Sequence, residues 1–564
     1  MARTSWWRGV AFAAFAWMSA AWGALGPMDT LVVVNQNDRA SRALGDYYME
    51  RHGIPASHRC MVALPAKVQE LSPDAFERDV RVPIDAFLDR SGLRGQINAV
   101  VFCWEGPTRV GYNGLPAAFH YGFKAWKPDA GQCQIADDSG NRYFRAERPY
   151  SSSAGWSPLK APLAFVLTGR TMADAKSAVD RAVASRGTQP EGAPFVLASS
   201  GDPARNVRWR YHAAVAERFA QAGMGGWVET RGEAPVMTEH PPMVCSMGQG
   251  GFPGAWASNG FQMAAGSIGE HLTSCGGQLP DPCFKQSSVW DWLAKGASAS
   301  YGTVSEPCNF TSKFPHPMYA YWYARGWSAG EALWMAVENP YQGLFAGDPL
   351  AAPFAAEPRV EIRSPRDGER VGEGFRLEMM VSACPGGAPP VYLDLYIDGR
   401  HYTPVARPVA AAGNEIEVTV GEKVFRYTVQ RDEDLYGVAE GVAWTIRNGS
   451  GGQVQARAHG DSVTVTLSGD KPVRVEARVA AGLAPTARMG AKACTPGGRT
   501  AADAPGRQGT EIRLWMGAVD AYPLSYPLDL SFLAPGAHVL TVVARDGTAV
   551  QAQGEASVTV VAGK

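Results

Sequence analysis

None of the nine cysteines stands at CxxC spacing or in a Cys/His zinc pattern, so no structural metal site or cofactor is expected. Charge of one sign is missing too: 53 basic residues face 54 acidic ones, which argues against nucleic acid or a polybasic membrane contact as the partner. After the first two dozen residues no run is long and apolar enough to cross a bilayer, so no membrane span is expected beyond the leader. Disorder is also disfavoured, because apolar residues make up 46% of the chain and charged residues only 19%.

The sequence opens with MARTSWWRGVAFAAFAWMSAAWGALGP: Arg3 and Arg8 precede an apolar run from Val10 to Met18, followed by small residues at Ala20, Ala21, Gly23 and Ala24. This is the pattern of a secretory leader cut after Gly23 or Ala24. Without it the balance becomes 51 basic against 54 acidic residues. The mature chain is expected beyond the cytoplasmic membrane, in the periplasm, at the cell surface or outside the cell. In that oxidising setting most cysteines can pair, and an odd count leaves at least one unpaired.

From Thr30 to Asn35 the run TLVVVN is apolar throughout, as a strand covered on both faces requires. Asp38 opens a helix that Gly53 and Pro55 close, and CMVAL at Cys60 to Leu64 completes a βαβ unit. Ser72 and Pro73 start another helix. INAVVFC, LAFVL and PFVLAS read as further strands, and MADAKSAVDRAVAS and NVRWRYHAAVAERFAQAG as helices. The alternation predicts an α/β domain over 28–354 with an open, mainly parallel sheet and helices on both faces. Between Tyr112 and Pro158 the periodicity lapses, which predicts an inserted loop or hairpin near the sheet edge. After Pro353 apolar and polar residues alternate between Gly and Pro turns. That predicts an all-β, Ig-like sandwich over 357–412 and 519–563, with a small α+β insert at 413–518 nested in it. Cys384 and Cys494 flank the insert and are candidates for a disulfide.

In open α/β sheets chemistry collects beyond the carboxyl ends of strands. The residues there are Asn35 to Asn37; Trp104, Glu105 and Arg109; Ser199, Ser200 and Asp202; Gly248 to Gly251; and Ser274 to Gly276. Arg109 could hold an acidic ligand group or close a local salt bridge, Glu105 being near. Glu306, Asn309 and Lys313 follow a buried strand and could line a crevice with Cys275, or anchor their loop through turn hydrogen bonds. The run Asp137 to Asn141 lacks the ligands and terminal Glu of a calcium loop and reads as a solvated turn.

Five stretches in order, NQNDRASRALGDYYMERHGIP, TGRTMADAKSAVDRAV, EHLTSCGG, ASYGTVSEPCNFTSKFP and FAGDPLAAP, resemble an uncharacterised family of exported bacterial proteins over about residues 30–354. More distantly, MVCSMGQGG, GEHLTSCGG, KGASASYGTV, SAGEALWMAV and FAGDPLAAP resemble, in that order, the gingipain-type cysteine peptidases, which have a caspase-like fold. That resemblance implies a nucleophile at Cys275 and places Gln249 where those enzymes carry histidine. A glutamine can orient a group but cannot accept its proton, and an ordinary thiol is mostly protonated at neutral pH. His271, four residues before Cys275, is the nearest substitute base; His240 and His316 are others. Alternatively Cys275 packs, or pairs with Cys283 or Cys308. Two functions follow: non-catalytic binding of an extracytoplasmic peptide, protein or envelope component, with Arg109, Gln249, Glu306 and Asn309 as contacts, or cysteine-type hydrolysis by Cys275.

Overall fold

The structure is a computed structural model. It describes residues 25–561 outside the segments 126–139, 191–193, 232–239, 249–260, 284–285, 306–308, 384–389, 407–412, 460–461, 467–474, 482–489, 492–493, 496–498, 501–510, 516–520 and 547–550 and the single positions 223, 373, 414, 432 and 434.

Ten strands form the main sheet: β1 (Thr30–Asn35), β2 (Arg59–Val62), β3 (Ala99–Cys103), β4 (Leu163–Leu167), β5 (Phe195–Ala198), β6 (Val228–Arg231), β7 (Val244–Met247), β8 (Ile268–His271), β9 (Ala299–Thr303) and β10 (Gly343–Gly347). Their order across the sheet is β2-β1-β3-β4-β10-β9-β8-β7-β5-β6. Alternate residues of the central strands feed two separate cores. Val32, Val34, Val101 and Phe165 enter one, while Leu31, Val33, Val100 and Val166 enter the other. Burial on both faces is why these segments carry no polar alternation.

Helix α1 (Arg39–His52) starts where Asp38 accepts the Ala40 N–H at 2.8 Å and ends at Gly53, whose φ of 67° suits a residue without Cβ. Helices α2 (Val82–Ser91) and α3 (Leu115–Tyr121) follow, then α4 (Met172–Ser185), opened by a capping box of Thr171 and Asp174. Leu44, Tyr48 and Val179 of α1 and α4 cover one face of the sheet. Ile84, Leu88 and Phe119 of α2 and α3 cover the other. The segment expected as an edge insertion thus begins as buried structure: every residue of α3 is buried, and it packs on β4 and β10 in mid-sheet. A helix without a polar face has no amphipathic period for a sequence reading to find.

All neighbours run parallel except β9 and β10, which pair antiparallel from Ala299↔Gly347 to Thr303↔Gly343. The sheet is therefore two parallel blocks facing opposite ways. Carboxyl ends of β5, β7, β8 and β9 share one edge, whereas those of β1 and β3 point to the other.

Beyond residue 358, a three-stranded sheet (Arg359–Ser364, Arg376–Ser382, Ala521–Pro527) and a five-stranded one (Glu369–Val371, Gln551–Val560, Gly536–Asp546, Pro390–Ile397, Arg400–Ala406) share a core of Leu377, Val381, Leu395, Val542 and Val558. Between the parts of this sandwich, helix Leu435–Gly449 packs with strands Glu415–Val420 and Ser462–Thr466 around Val418, Val442 and Val465. Cys384 lies outside the described residues, as does the side chain of Cys494.

Candidate functional site

β7 and β8 are parallel neighbours, in register from Val244↔Ile268 to Met247↔His271. Gly248 and the TSCGG turn thus follow adjacent carboxyl ends, and Gln249 lies outside the described residues. After His271 the chain folds tightly against β9: Gly277 N–H donates to Thr303 O at 2.9 Å, and the Thr303 hydroxyl donates to Thr273 O at 3.2 Å and to Ser274 O at 2.5 Å. A Cβ on Gly302 would sit 2.5 Å from the backbone of Gly276 and Gly277, and one on Gly277 2.8 Å from Gly302 O, so Gly277 and Gly302 are set by backbone-to-backbone approach.

Cys275 is buried and its sulfur is bonded to that of Cys283. In that state there is no thiol to ionise. His271 is equally committed: its Nδ1 accepts the Trp292 Nε1–H at 2.7 Å, and its Nε2–H donates to Ser287 O at 2.9 Å. Burial pushes its pKa down to about 4, which holds the ring neutral. Among the described residues no hydrogen bond joins His271 to Cys275. Both residues stand where the sequence places them, at the carboxyl end of β8, but their polar atoms are spoken for.

The charge at this edge is one that the sequence reading missed. Glu270, one residue before His271 on β8, is fully buried and faces Arg208 from the segment before α5 (His212–Gln221). Arg208 Nη1 donates to both carboxylate oxygens, at 2.8 and 2.9 Å, and to Pro315 O at 2.9 Å; Nη2 donates to Met247 O at 3.0 Å. Ser246 of β7 adds its hydroxyl to Glu270. The cluster fastens β7, β8 and two loops together. Glu270 lies in a short strand, IGEH, that is buried at every residue, and a carboxylate there demands a buried partner.

Beside this cluster a cleft of about 680 Å³ opens between the segments after β5 and β9, lined by Ser200, Asn206, Trp209, Arg210, Asn309 and Phe310. Trp209 is 60% and Phe310 42% exposed, unusual for large apolar side chains in one cleft. Asn309 braces the far wall by donating to Ala204 O. Arg205 Nη1 donates to Leu272 O at 3.1 Å, joining the cleft to the turn that carries Cys275.

The other candidates are distributed differently. Arg109 pairs with Glu70 at 2.7 Å, not with Glu105; its hairpin reaches the β9 end, where Ser305 Oγ donates to Tyr112 O at 3.2 Å. Lys313 is buried, with Nζ donating to Gln342 Oε1 at 3.1 Å, as in loop anchoring. Glu306 and Cys308 lie outside the described residues, as do 137–139 of the acidic turn. Asn141 is an interior strut that takes the Tyr121 hydroxyl at 2.8 Å and donates to Trp334 O and Val337 O. His316 accepts the Met318 N–H at 3.2 Å and lies against the Tyr211 ring, while His240 is exposed. Cys60 and Cys103 are buried thiols.

No protein-family model matches this chain, and no curated protein sequence does. Among solved structures, one titled "Structure of Protease" aligns over 94% of this chain and 98% of its own, with a TM-score of 0.36 and 9% identity. Dimeric latent PorU from Porphyromonas gingivalis aligns over 95% of this chain and 54% of its own, so the present chain spans about half of that protein, with a TM-score of 0.22 and 11% identity.

Proposed function

We propose that this is an exported protein whose peptidase-like α/β domain has been turned to binding, taking an extracytoplasmic peptide, protein or envelope component in the cleft between the ends of β5 and β9. The observation that carries this is the state of the two groups hydrolysis would need. Cys275 is in a disulfide, and both ring nitrogens of His271 are engaged by Trp292 and Ser287. Exposed Trp209 and Phe310 beside polar Asn206 and Arg210 supply the mixed contacts a peptide or glycan takes. Gln249 and Glu306 are proposed as further contacts, with Asn309 in the cleft wall and Arg109 on the hairpin that meets β9.

A second reading rests on the turn that bears Cys275 leaving a strand parallel and next to β7. Reduction of the disulfide would release the thiol at that edge and give a cysteine-type hydrolase. One experiment separates the two: the purified mature protein is treated with a fluorescent iodoacetamide and with quenched fluorescent casein, each with and without dithiothreitol. Binding predicts no cleavage in either arm, and labelling of Cys275 only after reduction. Casein cleavage that appears with reductant and disappears in Cys275→Ala would overturn it.

A further inference from the structure

Glu331 is the third residue of helix α6 (Ala329–Ala336) and is fully buried. Its Oε1 accepts the Tyr150 N–H at 3.1 Å, and its Oε2 accepts the Ser328 hydroxyl at 2.9 Å and the backbone N–H of Leu25 at 3.4 Å. Among the described residues no Lys, Arg or His pairs with it. The charged and titratable groups around it are Asp29, Tyr143 and Tyr150, none of them cationic. A buried carboxylate that stays ionised calls for a counter-charge, and among the described residues no side chain provides one.

The chain approaching this carboxylate is held firmly. Leu25 and Met28 are each 2% exposed. The Thr30 hydroxyl donates to Gly26 O at 2.8 Å, and Asp29 takes Arg545 Nη2 at 3.1 Å and Gln551 Nε2 at 3.1 Å. A Cβ on Gly26 would fall 1.8 Å from that same Gln551 nitrogen. Residues 25–29 therefore deliver the Leu25 nitrogen to one place, beside Glu331.

We propose that the missing cation is the chain's own new N-terminus: hydrolysis of the Ala24–Leu25 peptide bond by a leader peptidase turns the Leu25 amide into an α-ammonium that Glu331 binds as a buried ion pair. Water supplies the oxygen that leaves as the Ala24 carboxylate, and the freed amine takes up a proton. This rests on the leader reading, and specifically on the cut after Ala24 rather than Gly23. It makes export processing a folding step, since the core around α6 acquires its counter-charge only once the leader is gone. Burial pushes the Glu331 carboxyl up to about 7, in keeping with a site that lacks its cation until then.

The test begins with mass spectrometry of the mature N-terminus of the exported full chain. A start at Leu25 is expected; any other start overturns the cut, and the inference with it. Thermal unfolding midpoints are then compared for four mature chains: starting at Leu25 or carrying one extra Ala, each with Glu331 or Glu331→Gln. Either change alone is expected to lower the midpoint by several degrees, and both together by no more than one does. A start at Leu25 with fully additive shifts would overturn the ion pair while leaving the leader reading intact. Acetic anhydride at pH 8 gives a readout independent of these variants: the native Leu25 amine is expected to resist acylation while surface lysines react, and equal reactivity would overturn the proposal.

Discussion

Arg208 and Arg545 are both buried in this protein, and they are used differently. Arg208 meets one carboxylate, Glu270, within the α/β domain, and its guanidinium also donates to the backbone carbonyls of Pro315 and Met247. Arg545 comes from the sandwich and meets two carboxylates, Asp394 of its own domain at 2.7 Å and Asp29 of the α/β domain at 3.1 Å, with the Tyr396 hydroxyl at 3.0 Å. The first braces strand ends around a cleft, and the second joins two folding units. A buried pair inside one unit mainly fixes geometry, whereas one across a seam makes two cores cooperate. The seam has further polar contacts: His58 lies 2.7 Å from Gly399 O, and Gln96 Nε2 donates to Gly399 O at 2.8 Å.

The contrast can be broken by substitution. Arg545→Met should cost most, on the order of 4–5 kcal/mol in urea unfolding, because it strands two buried carboxylates. A loss below about 1 kcal/mol would mean that charge does not hold the seam. Arg208→Met strands one carboxylate, which keeps the Ser246 hydroxyl, and should cost about 3 kcal/mol while leaving the two domains unfolding together. If it splits the transition in two, the assignment of roles is wrong.

Cys283→Ser opens a disulfide between residues eight apart and should cost about 2–3 kcal/mol by the chain-entropy estimate. It should also render Cys275 reactive to iodoacetamide without reductant. Next comes acid sensitivity at the cleft. His271 is held neutral in the fold at a pKa of about 4 against about 6.5 unfolded, so the unfolded chain takes up its proton first and stability falls as pH drops from 6.5 toward 4. Between pH 7 and pH 5 that share is about 2 kcal/mol, and it should vanish from the difference between the two pH values in His271→Gln. Smallest is Trp209→Ala, which should shift unfolding by less than about 0.5 kcal/mol because the side chain is mostly exposed, and should act on ligand retention alone.

Local signals carried much of the fold. Strands buried on both faces, the Asp38 cap and the Thr171–Asp174 capping box are all written within a few neighbouring residues. The reversal between β9 and β10 was not legible, because a strand's direction relative to a distant partner leaves no mark in either segment. The helix expected from NVRWRYHAAVAERFAQAG starts only at His212, since Trp209–Tyr211 is a 3-10 turn and Arg208 is taken by Glu270, 62 residues away. At the site, the sequence located the CGG turn and left Cys275 to choose among partners. Spacing alone cannot choose between Cys283 and Cys308.

Gly399 sits at the joint between the sandwich and the α/β domain. A Cβ there would lie 2.5 Å from Pro55 and 2.7 Å from the Ser57 hydroxyl oxygen, so the hairpin tip of the sandwich nests against the α/β surface with no room for a side chain. Recombination that swapped the C-terminal half for an unrelated module would leave that socket unfilled and His58 and Gln96 facing water. The two domains are in this sense one unit, each shaped to the other at the joint.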